Sequence, residues 1–303
     1  MASSSHRYRS LKSKWSAHHK DLQRTLWDKH GDALERFREG TRHVMLGSLA
    51  GLLMLSHVNP GHLIAQNLPQ MQPSAEQHAQ DLSKAMGLLM SELSVTLPGS
   101  VEPLSVEQER AVAGILSRRF GLNVSAELEG KRLNRSYGLI GAEQHLMRYP
   151  GDTIDTHFDG NDASRFARSG MAPGRGAWGY FAPSREALSQ DDVERERWYI
   201  AAPTFLAPGF DSNVGEYYRF FKYRKMLVVN PENGKAVVAV IGDAGPAEFT
   251  GKHLGGSPEV MDYLERKDGR QKGPVLYYFI DDPDGKVPLG PIQVQPEHET
   301  TLL

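Results

Sequence analysis

Apolar positions along the chain fall into two regimes. Between residues 74 and 120 they recur three and four apart: Leu82, Met86, Leu89 and Leu93, then Val112, Ile115, Leu116 and Phe120. That spacing puts them on one helical face, and each run is preceded by a capping-box pattern, S-A-E-Q from Ser74 and S-V-E-Q from Ser105. After about residue 135 the texture changes to short β-prone runs at 198–205, 225–230, 236–241 and 275–280, separated by glycine, proline and aromatic residues. The runs around Val228 and Val237 flank Pro231, Glu232, Asn233 and Gly234, and Asn-Gly is a strong hairpin signal. One helix is predicted among these strands, at 258–266, with Ser257 as N-cap and Pro258 at its first position.

Strands that do not alternate with helices argue against a parallel α/β sheet. The expected class is α+β: a small helical module at 74–135, followed at 136–303 by a β-rich domain with one short inserted helix.

The chain in front of these elements is patterned differently. Residues 1–43 form a basic arm with ten Lys/Arg against five Asp/Glu, and Leu22, Leu26, Ala33, Leu34 and Phe37 suggest a helix within it. The arm ends at the apolar run 44–58, which is shorter than the about 18 to 20 residues that cross a bilayer comfortably. Arg36, Arg38, Arg42 and His43 precede the run and a polar, proline-containing linker, 59–73, follows it. This asymmetry matches the positive-inside bias and predicts a signal anchor, with the C-terminal domain on the extracytoplasmic side. The alternative for 44–58 is a buried helix of a soluble protein.

Over all 303 residues the net charge is -2, which gives no global attraction toward nucleic acid, and none is expected as a partner. The chain has no cysteine, which excludes disulfides, thiolate metal sites and a cysteine nucleophile.

Candidate chemistry concentrates in VVAVIGDAGPAEFTGKHLGGSP, residues 237–258. A phosphate-binding loop needs four residues between its glycine and Gly-Lys, then Ser or Thr; here five separate Gly245 from Gly251, and His253 follows Lys252. A dinucleotide turn needs G-x-G-x-x-G opening a helix, which Gly242, Gly245 and Pro246 do not provide. What fits is a strand that delivers Asp243 into a tight turn, followed by a capped helix and a returning strand.

The order N-P-x-N-G-K-x-V-V-x-V from Asn230, D-x-G-P from Asp243, Gly251 and Lys252, a serine-capped helix with Val260, Met261 and Leu264, then G-x-V from Gly273 resembles the double-psi β-barrel of the rare lipoprotein A group. It is similar, more distantly, to expansins and to the barrel domain of membrane-bound lytic transglycosylases. The resemblance covers residues 222–281, with a weaker extension upstream to about 137. It implies a six-stranded double-psi barrel that acts on or binds peptidoglycan or another wall glycan. The family's lytic members cleave glycan non-hydrolytically through an aspartate acid/base, which falls on Asp243. Where the family has Asp-Leu-Ser before the helix, this chain has Gly255, Gly256 and Ser257.

Further titratable residues crowd residues 141–160: Glu143, His145, Asp152, Asp155, His157 and Asp159. His157 or Glu143 is expected to face Asp243 across a cleft as a second catalytic group. His145 and His157 could also hold a metal with nearby carboxylates, but a spacing of twelve does not specify one, and the sequence assigns neither metal nor other cofactor. Trp178 and Tyr180, if exposed, would suit sugar stacking, and Lys252 and Ser257 complete the expected substrate-binding set. Together these features predict a membrane-anchored envelope protein, lytic-transglycosylase-like; the alternative is a non-catalytic wall-binding or scaffolding module.

Overall fold

In the computed structural model, which describes residues 75–158, 162–266 and 273–296, the apolar runs of the C-terminal half close into a barrel. All of these residues belong to one unit, 69–303. Its six staves are β4 (Tyr137–Ala142), β5 (Tyr199–Ala202), β6 (Lys225–Val229), β7 (Ala236–Ala244), β8 (Leu254–Gly256) and β9 (Gly273–Ile280). Around the ring β9 pairs with β4, β4 with β8, β8 with β5, β5 with β7, β7 with β6, and β6 again with β9. The β4–β8 and β5–β7 pairs are parallel and the other four antiparallel. Short β1 (Val124–Ser125) and β10 (Gly290–Ile292) extend β9 and β7, and β2 (Glu127–Leu128) pairs with β3 (Lys131–Arg132) as a separate ribbon. The fold is α+β, with a closed six-stranded mixed barrel and a few helices.

The continuous apolar runs reflect strands buried on both faces. Alternate residues of all six strands meet in one cluster, among them Ile140, Ile200, Met226, Val228, Val237, Ile241, Leu254, Val275 and Phe279, which identifies the barrel interior. The intervening residues Leu227, Val229, Val238, Leu276 and Tyr278 face outward, where two helices cover them. These are α1 (Ala75–Thr96) and α2 (Val106–Phe120), whose Leu89, Leu93, Val112 and Leu116 are fully buried. Each such side chain contributes roughly 1.5–3 kcal/mol of apolar burial. Ser105 caps α2 through a reciprocal box with Gln108, and the Arg119 fork on Glu92, 2.9 Å at both nitrogens, ties α2 to α1.

The hairpin between β6 and β7 turns over residues 230–235, with Gly234 at φ 73°, a conformation that the Asn-Gly signal anticipates. The predicted helix forms as α7 (Pro258–Tyr263), and its Val260 and Met261 pack into the interior cluster.

That helix does not stand alone. The β-rich domain also carries α3 (Ile154–His157), α4 (Asp162–Phe166), α5 (Gln190–Arg197) and α6 (Val214–Phe221), which corrects the expectation of a single inserted helix. The sequence of α5, QDDVERER, has one apolar residue and so no apolar stripe; it is set by the Ser189 cap and the barrel beneath it. In α6, the aromatic VGEYYRFF buries Phe220 and Phe221 against the barrel and reads by composition as a strand.

The basic arm at 1–43, the apolar run 44–58 and the linker 59–73 lie outside the described residues, as does Asp159. Among the described residues, no helix is long and apolar enough to cross a membrane.

Candidate functional site

Two clusters of ionisable side chains sit near one another on the β4–β5–β7–β8 side of the barrel. The first surrounds Asp243, which occupies the penultimate position of β7 and is half-buried. Its Oδ1 accepts hydrogen bonds from the Ala177 amide at 2.6 Å and from the Ala244 amide at 2.8 Å. Oδ2 accepts no hydrogen bond from the described residues. Burial raises the pKa above the usual aspartate value, and the Ala177 and Ala244 N–H groups oppose that rise.

Glu143 joins this cluster just beyond the end of β4. Its carboxylate receives the Lys252 ammonium at 2.6 Å, and the same ammonium donates to the Ala142 carbonyl at 2.9 Å. Burial raises its pKa; the Lys252 hydrogen bond and charge work against this, and the Asp243 charge adds to it. The parallel β4–β8 pairing sets Ala142 beside Gly256, and Glu143 N donates to the Gly256 carbonyl at 2.8 Å, so the Glu143 side chain lies over β8. Gly255, which stands where the resemblance expects an aspartate, leaves the room that this side chain fills: a methyl group there would come 2.7 Å from Glu143 Cδ and closer still to Oε1. Lys252 and His253 border a cavity of about 220 Å³, lined also by Arg135, Pro203, Pro246 and Glu248. Nε and Nη1 of Arg135 are buried without a hydrogen-bond partner among the described residues.

The second cluster brings together residues from three elements. His157, at the end of α3, has both ring nitrogens engaged: Nδ1 with Asp152 Oδ2 and Nε2 with Glu196 Oε2, each at 2.9 Å. Burial opposes a charge on this ring, but the hydrogen bonds to Asp152 and then Glu196 outweigh it and raise the pKa to about 9, so His157 is an imidazolium at neutral pH. Burial likewise opposes the Glu196 charge, and the two histidines beside it overcome that and hold its pKa near about 2. Asp152 is held well below the usual range against its burial by His157 and by the backbone and side chain of Arg148. Glu259, on α7, goes the other way: burial, then the Glu196 charge, push it up to about 8. Tyr199 links the clusters. Its hydroxyl donates to the Gln144 carbonyl, and burial, then the charges of Glu196, Glu143, Asp243 and Glu259, place its pKa well above the ordinary value.

Of the residues expected to work together, the structure brings Asp243 and Glu143 into one electrostatic neighbourhood. His157 spends both nitrogens on Asp152 and Glu196. Trp178 is buried, its indole N–H donating to the Ile241 carbonyl at 2.9 Å and its ring meeting Tyr218 edge-on, while half-buried Tyr180 lies under the Arg175 guanidinium. Ser257 is fully buried; its hydroxyl accepts from Val260 N and donates to the Arg197 carbonyl, fastening α7 to the end of α5.

Sequence reasoning missed Glu196, Glu259, Arg135 and Tyr199. For Glu196 a signal exists: it stands three residues after Val193, the one apolar residue of α5, and so shares the face that turns inward.

Against known proteins, no family model matches this chain, and neither a curated protein nor a solved structure matches it.

Proposed function

We propose that the barrel is of the double-psi type and acts on the glycan strands of peptidoglycan, with Asp243 as acid/base and Glu143 as the second carboxyl group. The observation that carries this is the pair itself: two carboxyl groups, both pushed toward protonation by burial, at the rim where β7 and β8 end. A non-hydrolytic cleavage needs one group that protonates the glycosidic oxygen and then accepts a proton from the sugar. A carboxylic acid with a raised pKa and an oxygen free of partners among the described residues suits that task. The mixed ring with two parallel pairs supports the barrel type. The cavity beside Lys252, lined also by Arg135 and His253, suits a ligand rich in acceptor oxygens. The apolar run 44–58 would tether the domain to the membrane.

The test is incubation of the full chain with purified peptidoglycan, followed by mass analysis for anhydro-sugar ends. Release of such ends by the wild-type chain and their absence with Asp243→Asn support the proposal. Release that persists in Asp243→Asn removes the assigned role.

One observation favours a second reading, a wall-binding module without turnover: both hydrogen bonds from backbone amides converge on one Asp243 oxygen, which is how an aspartate caps a turn. Sedimentation of the chain with peptidoglycan in the absence of any product supports that reading. Membrane fractionation with and without residues 44–58 tests the tether separately.

A further inference from the structure

His145 is the least explained side chain in the molecule. It is wholly buried, and among the described residues neither ring nitrogen has a hydrogen-bond partner. Its Nδ1 stands 3.5 Å from Glu196 Oε1, an ion-pair distance without hydrogen-bond geometry. A neutral imidazole carries one donor and one acceptor, and leaving them unmatched in the interior is destabilising. Unmatched buried polar groups are rare in folded proteins and call for a specific partner, commonly a water or an ion.

The surroundings single out the ion. One ligand atom each from His145, His157 and Glu196 lies within 4.8 Å of the others, and all three residues are buried. Around a tetrahedral zinc, donors at about 2.0–2.1 Å stand about 3.4 Å from one another. The 3.5 Å between His145 Nδ1 and Glu196 Oε1 is close to that spacing. The 2.9 Å contact between His157 Nε2 and Glu196 Oε2 is a hydrogen bond in the metal-free chain, and an ion bound there would displace the Nε2 proton and widen the contact. The outer support is also in place. Asp152 Oδ2 takes the far nitrogen of His157 at 2.9 Å, the carboxylate–histidine arrangement that orients a metal ligand, and is itself held by Arg148.

We propose that His145, His157 and Glu196 bind a divalent transition-metal ion. Two imidazoles and one carboxylate favour zinc or a neighbouring first-row metal over calcium or magnesium, which prefer all-oxygen sites. The donors come from the loop after β4, from α3 and from α5, so the ion fastens the 143–157 segment to α5. Three protein donors leave a fourth position for a water molecule, and the burial of all three residues suits a structural pin. This proposal is independent of the glycan reading.

The test uses the full chain, stripped with chelator, dialysed against equimolar zinc and assayed for metal content. Because the chain has twelve histidines, several of them in residues 1–62, total zinc is read as a difference from His145→Phe. That substitution removes both nitrogens while keeping a ring to pack against His157 and Phe158, which stand 4.9 Å away centroid to centroid. The expected result is one zinc fewer in His145→Phe and in Glu196→Gln than in the wild type. Zinc in about hundredfold excess over its Kd should raise the wild-type melting temperature by about 5 °C or more and leave His145→Phe unmoved. Cobalt substituted for zinc should give visible absorption bands that the variant lacks. Equal zinc content in the wild type and both variants, or a melting shift that His145→Phe retains, overturns the proposal.

Discussion

The carboxylate of Glu143 lies over the α-carbon of Gly255, in space that any larger residue at 255 would claim. The chain thus holds a carboxyl group close to where the resemblance expects one, supplied from β4 instead of β8. Gly255→Ala tests how much this arrangement matters. The atoms a methyl group would strike, Cγ, Cδ and Oε1 of Glu143, all belong to a flexible side chain that can swing aside. Gly255 has ordinary backbone angles, so the substitution carries no conformational strain. The expected loss of stability is therefore small, about 1 kcal/mol, and should be visible in urea unfolding. Glycan turnover or binding should fall much further, as it does in Glu143→Gln. Wild-type activity in Gly255→Ala would separate Glu143 from the function.

Asp243 has two roles that two substitutions separate. Asp243→Asn keeps an oxygen able to accept from Ala177 N and Ala244 N, but it has no acid proton to give. It should melt close to the wild type while turnover falls on the order of a hundred- to ten-thousandfold. Asp243→Ala also removes both hydrogen bonds, that of exposed Ala177 N and that of half-buried Ala244 N, and should cost about 1–2 kcal/mol in addition. If the two variants are equally destabilised, the backbone hydrogen bonds are not what holds this turn.

Tyr277 belongs to the barrel-interior cluster, its hydroxyl has no hydrogen-bond partner among the described residues, and burial raises its pKa far above the ordinary tyrosine value. Tyr277→Phe removes a polar group that the fold leaves unmatched and retains the ring. The variant should be as stable as the wild type or more stable by about 1 kcal/mol, measured by urea unfolding at neutral pH. A loss of more than about 1 kcal/mol would show that the hydroxyl has a partner such as a buried water.

What the sequence showed and what it hid divides along physical lines. Strands buried on both faces write themselves as continuous apolar runs, so β6, β7 and β9 were visible, and Asn233 and Gly234 marked the turn between two of them. The caps at Ser105 and Ser257 are local hydrogen-bond chemistry and were equally legible. Helix α5 was hidden because it has no apolar stripe and two of its charged residues are satisfied by partners distant in sequence, Glu196 by His157 and Arg197 by Asp162. At the candidate site Asp243 and Glu143 could be picked individually, but their meeting depends on the parallel β4–β8 pairing, a contact across more than a hundred residues that no local pattern encodes. Trp178 could not be told from a stacking platform, since burial is a property of the fold and not of the residue.

Glu259 makes the most direct pH-dependent prediction. Its Oε2 is buried without a partner; burial first, then the Glu196 charge, raise its pKa to about 8, against the smaller opposing effects of its own amide, Arg197 and His157. A carboxyl group whose folded pKa is raised binds more protons in the folded than in the unfolded chain between its ordinary value and about 8. Over that window the folded state therefore loses stability as pH rises, by up to roughly 5 kcal/mol if the whole shift is realised. Glu259→Gln is neutral throughout and lacks this contribution. In chelator-treated protein the variant and the wild type should unfold at similar urea concentrations near pH 5, and the variant should become progressively more stable than the wild type toward pH 8.5. The comparison reads the Glu259 charge together with its coupling to Glu196 and His157, which are present in both proteins. Parallel curves across the window would mean that the Glu259 carboxylate reaches water or a cation in the folded chain, and that its burial beside Glu196 carries no charge penalty.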